Sequence, residues 1–312
     1  MSEAVPGRSR RWFAGVYGSL VGMSESDPTF VLVTGSGATS FLWNPLVVEL
    51  ALRGQRALPV ELPGHGFDTQ FPPGYGAPQD LDQFAVALSP LANLTLDDYV
   101  EHTLAIVRQL AEHGPIILVG HSLGGSTVTQ VANTAPELLT RIVYLSAYCC
   151  TASPTVLAYT PTQPKPASPL ERARDIAFVG NPGLTKAART NPRTGDPDVL
   201  ATQHALLMAD LDPARVPAVL AYATQPDEPL QLILADAQAH AATWGRLPRT
   251  YIRTTQDEVI PPSVQDRMIA EADQLTPGNP FDVHTLPTSH FAPITRPAEL
   301  ANILTTPRSP AA

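Results

Sequence analysis

After Pro28, short apolar runs alternate with longer stretches in which apolar residues recur every three or four positions. Such an alternation predicts a mainly parallel β-sheet covered by helices. The first run, residues 30–33, is continuously apolar, as a strand buried on both faces must be, and it runs into the glycine-rich turn Thr34-Gly35-Ser36-Gly37. A helix is predicted over 42–53, then a strand over 57–61 that Leu62-Pro63-Gly64-His65-Gly66 brings to a stop. Thr95-Leu96-Asp97-Asp98 has the form of a capping box, and Tyr99, Leu104, Val107 and Leu110 continue from it at helical spacing as far as Gly114. Strands over 116–119 and 142–145 enclose a helix over 123–134. From 147 to 247 the strand rhythm lapses into proline-rich turns and helix-like pieces at 169–178 and 229–242. It returns with a strand at 250–253, a helix at 262–274, a strand at 281–286 and a last helix at 297–304. The expected organisation is an N-terminal segment 1–28, a core built from 29–146 and 248–306, a cap inserted over 147–247, and a tail 307–312.

Composition narrows the class. With 312 residues, 44% of them hydrophobic and 16% charged, the chain can bury a large core unaided by metals or disulfides. A formal charge of −9 argues against nucleic acid as a partner, because phosphate-backbone binding calls for basic patches. Cys149 and Cys150 are adjacent and cannot join distant parts of the fold, so two buried thiols are expected. No stretch has the length of an apolar transmembrane span. Ser9-Arg10-Arg11-Trp12-Phe13-Ala14, followed by a modestly apolar run at 15–23, is similar to a twin-arginine export signal but has no Ala-x-Ala site after it. A cytoplasmic protein is therefore the expectation, with export on that signal the alternative.

The chemistry is concentrated in Ile116-Ile117-Leu118-Val119-Gly120-His121-Ser122-Leu123-Gly124-Gly125, where a Gly-x-Ser-x-Gly pentapeptide lies between a predicted strand and a predicted helix. That context marks a nucleophile elbow, a strained turn that lifts the serine hydroxyl above the sheet and aims the first helical N–H groups beside it. A serine hydroxyl needs a base, and α/β-hydrolases supply acid and base later in the chain in the order Ser, acid, His. His290, just past the strand at 281–286, has the right address for the base. Asp257, just past the strand at 250–253, has that of the acid, with Glu258 as its competitor. The acid would hold the imidazole tautomer and stabilise the imidazolium. Two backbone donors are needed for an oxyanion: the N–H of Leu123, after the nucleophile, and that of Ser36, where Gly35 lets the chain turn inward. His65 and His121 are expected to line the pocket or bond to backbone. His284 falls in a strand, and His102, His113, His204 and His240 fall on helix surfaces or in the cap. No histidine pair has metal-ligand spacing with a carboxylate, so neither metal nor cofactor is expected.

These residues carry a resemblance. The chain resembles α/β-hydrolases of the hydroxynitrile lyase and plant methylesterase type over most of 30–304. Its most specific pieces are the elbow, Thr255-Gln256-Asp257-Glu258-Val259, and Ser289-His290 with Arg296-Pro297-Ala298-Glu299-Leu300 behind. The resemblance implies an α/β-hydrolase fold, a mainly parallel doubly wound sheet with an inserted helical cap, and it implies Ser122 as nucleophile, Asp257 as acid and His290 as base. The family's oxyanion turn often begins His-Gly, whereas here it is Thr34-Gly35. By the same resemblance the plant lyases place Thr at Gly35 and Lys at Phe291, and both lyase groups are missing here. The expected function is hydrolysis of a small-molecule carboxylic ester or lactone through an acyl-enzyme. The alternatives are other chemistry on the same triad (lyase, acyltransfer, perhydrolysis or carbon–carbon hydrolysis) and a silent ligand receptor. Epoxide hydrolases and haloalkane dehalogenases, which by resemblance carry Asp at the position of Ser122, are disfavoured.

Overall fold

The computed structural model describes residues 27–160 and 176–306. The twin-arginine-like stretch, most of the helix-like piece at 169–178 and the tail 307–312 lie outside the described residues. Six strands form one sheet: β1 (Thr29–Val33), β2 (Arg56–Val60), β3 (Ile116–Ser122), β4 (Arg141–Ala147), and, after the insertion, β7 (Arg249–Thr254) and β8 (Asp282–Leu286). Their order is β2-β1-β3-β4-β7-β8, and every neighbouring pair is parallel. β1, β3 and β4 are buried along their whole length, which is why they read as unbroken apolar runs. Pro59 is tolerated because β2 is an edge strand, where a missing N–H leaves no ladder bond unmade.

Side chains alternate across the sheet and divide the core in two. Phe30 and Leu32 face α1 (Asn44–Leu52) and the helix Pro297–Thr305, packing with Leu46, Leu50, Leu300 and Leu304. Val31 and Val33 face the other way, toward α3 (Leu96–Ala111), α4 (Gly124–Thr134) and the helix Pro262–Leu275, through Leu104, Val107, Val128 and Met268. The predicted capping box is formed: Thr95 Oγ1 accepts from the Asp98 N–H and Asp98 accepts from the Thr95 N–H. The predicted helix over 42–53 is split, with a 3-10 turn at Ser40–Trp43 before α1 begins next to Pro45. Because β1 has β2 on one side and β3 on the other, the strand order reverses between β1 and β3. A crevice therefore opens beyond their carboxyl ends, where ligands of such sheets bind.

Residues 148–248 join β4 to β7. They contain a two-stranded antiparallel pair, β5 (Ala187–Arg189) with β6 (Asp227–Pro229), and the helices Pro197–Leu207 and Val216–Ala223. The helix expected over 229–242 does not form. Its first residue ends β6, a single 3-10 turn follows at Leu230–Ile233, and irregular chain runs on to Trp244. The reason is competition for backbone donors: the Ala237 N–H bonds to Pro154 O at 2.8 Å and the Ala239 N–H to Cys150 O at 2.7 Å, instead of to carbonyls one helical turn back. The apolar periodicity there serves packing, since Leu232, Ala237, Ala239 and Trp244 join the cluster beneath the sheet. Arg189 ties β5 to the rest of the chain. Wholly buried, it makes a bidentate pair with Asp227 at 2.6 and 2.7 Å, donates to the carbonyls of Phe84, in α2 (Leu81–Val86), and of Ala87, and lies over the Phe84 ring.

Candidate active site

β3 ends at Ser122 with φ at +54°, and α4 starts two residues later, so strand, strained serine and helix follow one another as an elbow requires. The crowding there explains the glycines. A Cβ on Gly124 would stand 2.4 Å from Thr34 O, and one on Gly35 would stand 2.4 Å from Ser122 Cβ and 3.0 Å from Ser122 Oγ. The turn after β1 therefore lies directly against the serine.

His290 follows β8, and its Nδ1 is 2.7 Å from Asp257 Oδ2. Asp257 follows β7 and is almost wholly buried, yet its carboxylate is well supplied with donors. It accepts from the Val259 and Ile260 N–H groups at 2.8 and 2.9 Å, from Thr254 Oγ1 at 3.0 Å and from Ser146 Oγ. Burial alone would push this carboxyl up, but His290 and the hydrogen bonds from His290, Ser146 and Ile260 hold it below its ordinary value. Glu258 is half-buried and makes no hydrogen bond to His290 among the described residues. Ser122 and His290 line the same cavity. No hydrogen bond joins their two side chains.

The imidazole of His121 packs on that of His290, with centroids 4.6 Å apart, and its Nε2 lies 3.0 Å from His290 O. Burial, with His290 beside it, lowers its pKa to about 3, so the ring is neutral and Nε2 carries the proton that the carbonyl accepts. His65, also buried, sits 3.3 Å from Glu228 and 3.1 Å from Pro63 O. Burial pulls its pKa down, but Glu228 and the bond to Pro63 O outweigh that and carry it above its usual value.

Three groups with roles here were not read from the sequence. Ser146, at φ +39° near the end of β4, donates to Asp257; a lone serine closing an apolar run was the only trace of it. Glu228 of β6 accepts from the Gly37 N–H at 2.5 Å and so fixes the turn that carries Ser36. Asp210 accepts from Thr288 Oγ1 at 2.8 Å and from Ser289 N and Oγ, gripping the loop that carries His290, while the Phe291 N–H bonds to Leu207 O at 2.8 Å. No periodicity marks Asp210 or Glu228, because each acts across the chain on a distant loop.

The cavity has a volume of about 140 Å³. Ser36, Ser122, His121, His290 and Phe291 form one wall, and residues between 178 and 226, among them Gln203 and Leu206, supply the rest. Leu123 heads α4 beside Ser122. Cys149 and Cys150 are buried and free, and burial raises the Cys150 thiol to about 12, so it is no nucleophile near neutral pH. Among the described residues no cluster of His, Cys, Asp or Glu is placed to hold a metal ion, and no helix is long and apolar enough to cross a membrane.

Comparison with known proteins fits this geometry. Residues 30–303 match the family described as "Alpha/beta hydrolase family". Methylesterase 18 of Arabidopsis thaliana is 26% identical over 290 residues, covering 89% of this chain and 96% of the relative. Putative methylesterase 12, chloroplastic, of the same plant is 24% identical over 243 residues, 78% of this chain, which spans only 62% of that relative's length. The crystal structure of a pyrethroid hydrolase from Sphingobium faniae JZ-2 superimposes with a TM-score of 0.64 at 21% identity, covering 89% of this chain and 96% of that one.

Proposed function

The chain belongs to the alpha/beta hydrolase family, and from that premise we propose that it is a serine esterase that hydrolyses small-molecule carboxylic esters or lactones through an acyl-enzyme. The observation that carries this reading is a serine on a left-handed elbow facing a cavity whose same wall holds a histidine bonded at 2.7 Å to a buried, ionised carboxylate. His290 Nε2 takes the Ser122 Oγ proton as Oγ attacks the ester carbonyl. The N–H groups of Ser36 and Leu123 receive the oxyanion, and Asp257 steadies the imidazolium. The imidazolium proton then goes to the departing alkoxide, leaving the acyl group on Ser122. Water, deprotonated by His290, attacks that ester, and Ser122 leaves with the returning proton. Residues 147–247 act as the cap in this reading and shape the acyl pocket. A volume of about 140 Å³ suits a group of roughly one aromatic ring, judged against the ~150 Å³ void that holds benzene.

The lyase alternative is weakened at the two positions that distinguish it. A Thr at Gly35 would drive its Cβ into Ser122, and Phe291 is a buried apolar ring where cyanide release needs a cation. The test is a panel of p-nitrophenyl and methyl esters of graded acyl length, with mandelonitrile beside it. Short esters should turn over, and mandelonitrile should not be cleaved above background. Mandelonitrile cleavage lost in Ser122→Ala, with no ester turned over, would reverse the assignment.

A further inference from the structure

The helix Pro197–Leu207 turns Leu200, Gln203, Leu206 and Leu207 inward, at the spacing of one helical face. Three of the four are leucine. The fourth is a carboxamide, 8% exposed, lining the cavity that holds Ser122 and His290. Among the described residues nothing hydrogen-bonds it. Most of the other polar side chains around the cavity have protein partners, though His121 keeps a buried Nδ1 without one. Asn191 and Gln79 exchange two bonds of 3.1 Å, and Gln225 is bonded to Thr69 Oγ1 and to the carbonyls of Gly64 and Asp227. Thr224 Oγ1 donates to Leu220 O, and His121 uses Nε2 on His290 O. Ser36 and Thr190 are open enough for water to serve their hydroxyls. The amide is not sealed in the core: its polar atoms stay accessible in a residue that lines the cavity, so they offer a donor and an acceptor there, which a leucine on that face would not. Such local violations of an otherwise consistent pattern concentrate where a ligand completes the bonding.

We propose that Gln203 is the specificity-determining residue of this cavity, hydrogen-bonding an uncharged oxygen, a ketone, hydroxyl or amide group, on the body of the substrate beyond the scissile carbonyl. The inference rests on the esterase reading for its chemistry but on the free amide for its ligand class. A carboxamide can donate through Nε2 and accept through Oε1 but offers no charge. It therefore suits neutral polar groups and leaves an ionic group uncompensated. A substrate lacking the oxygen would leave the amide dry and unpaired, which turns the bond into discrimination.

Matched p-nitrophenyl esters test this: hexanoate against 4-oxohexanoate and 5-oxohexanoate. Wild type should favour at least one oxo ester in kcat/KM by about tenfold, the scale of one such hydrogen bond. In Gln203→Leu the oxo-ester to hexanoate ratio of kcat/KM should fall to about one, whatever the absolute rate on hexanoate, with circular dichroism showing the variant folded. A preference unchanged in Gln203→Leu, or no preference in wild type, overturns the proposal. Binding to Ser122→Ala, followed by NMR titration with methyl hexanoate and the two methyl oxohexanoates, reads the same preference without chemistry. If no ester is turned over but binding still favours an oxo ester and loses that preference in Ser122→Ala/Gln203→Leu, the hydrolase reading fails and the role of Gln203 stands. Equal binding of all three esters overturns it.

Discussion

Among single residues, Gly35 leaves no room for a side chain beside Ser122, and this makes a sharp test. Gly35→Ala would place a methyl group 3.0 Å from the Ser122 hydroxyl. Displacing a nucleophile by about 1 Å costs roughly a hundredfold in rate, so a loss of that size with circular dichroism unchanged is expected. Activity within threefold of wild type would mean that Ser122 does not need its observed position. His121 gives a pH prediction. Its pKa is lowered to about 3 in the fold, while the unfolded chain protonates it near the ordinary value of about 6.5. Between those values the unfolded state binds more protons, so stability falls as the solution is acidified. Asp257, with its depressed pKa, adds a loss only as pH drops below about 4. His65, with a raised pKa, is protonated in both states below about 6.5 and adds no slope there. The window from pH 6.5 to 5 thus isolates His121, and thermal melts of His121→Asn should fall less steeply across it than those of wild type. That Ser122, His290 and Asp257 would come together was legible in the sequence, because an elbow has a local signature and the candidate partners follow strands in a fixed order. Ser146, Asp210, Glu228 and Gln203 were not, since each acts on residues remote in the chain.

Elements carry these groups, and the loop holding His290 is held from the insertion. Asp210 bonds to Thr288 and Ser289, and its carboxyl lies below the ordinary value; burial opposes that shift, and the donors of Ser289 and Thr288 outweigh it. Asp210→Ala should free the loop and lower kcat by about tenfold through misplacement of the imidazole, with KM changed by less than threefold. A change in KM alone would assign Asp210 to substrate binding. The strands and flanking helices were legible because burial on both faces, amphipathic spacing and the Thr95 cap act locally. The stretch at 229–242 was misread for an instructive reason: its spacing was apolar enough for a helix, but β5 and the carbonyls at 150 and 154 claimed its backbone.

In the molecule as a whole, Arg189, ion-paired with Asp227 inside the insertion, joins that insertion to the chain that precedes α3 by donating to the carbonyls of Phe84 and Ala87. Removing one partner of a buried, bidentate pair strands the other charge and costs about 3–5 kcal/mol, so Asp227→Ala should lower the urea midpoint markedly. Removing the more exposed Glu49 from Arg53 should cost less than about 1 kcal/mol. Equal effects would show that Arg189 finds other compensation. Bulky substitutions at Leu206 or Leu220, on the cavity wall, should reorder preference among ester chain lengths more than they change the rate on acetate esters. The parallel sheet, read as alternating strands and helices, was legible in outline, whereas the shape of the cavity was not, because 148–248 has no periodic code for what it encloses. All of this turns on whether Ser122 becomes acylated. Mass spectrometry of the protein quenched during turnover of a p-nitrophenyl ester, followed by peptide mapping, answers that directly. One acyl group per chain is expected on the peptide containing Ser122, absent in Ser122→Ala and accumulating in Asp257→Asn. Ester turnover with no adduct on that peptide, or an adduct on any other residue that turns over at the catalytic rate, would contradict it.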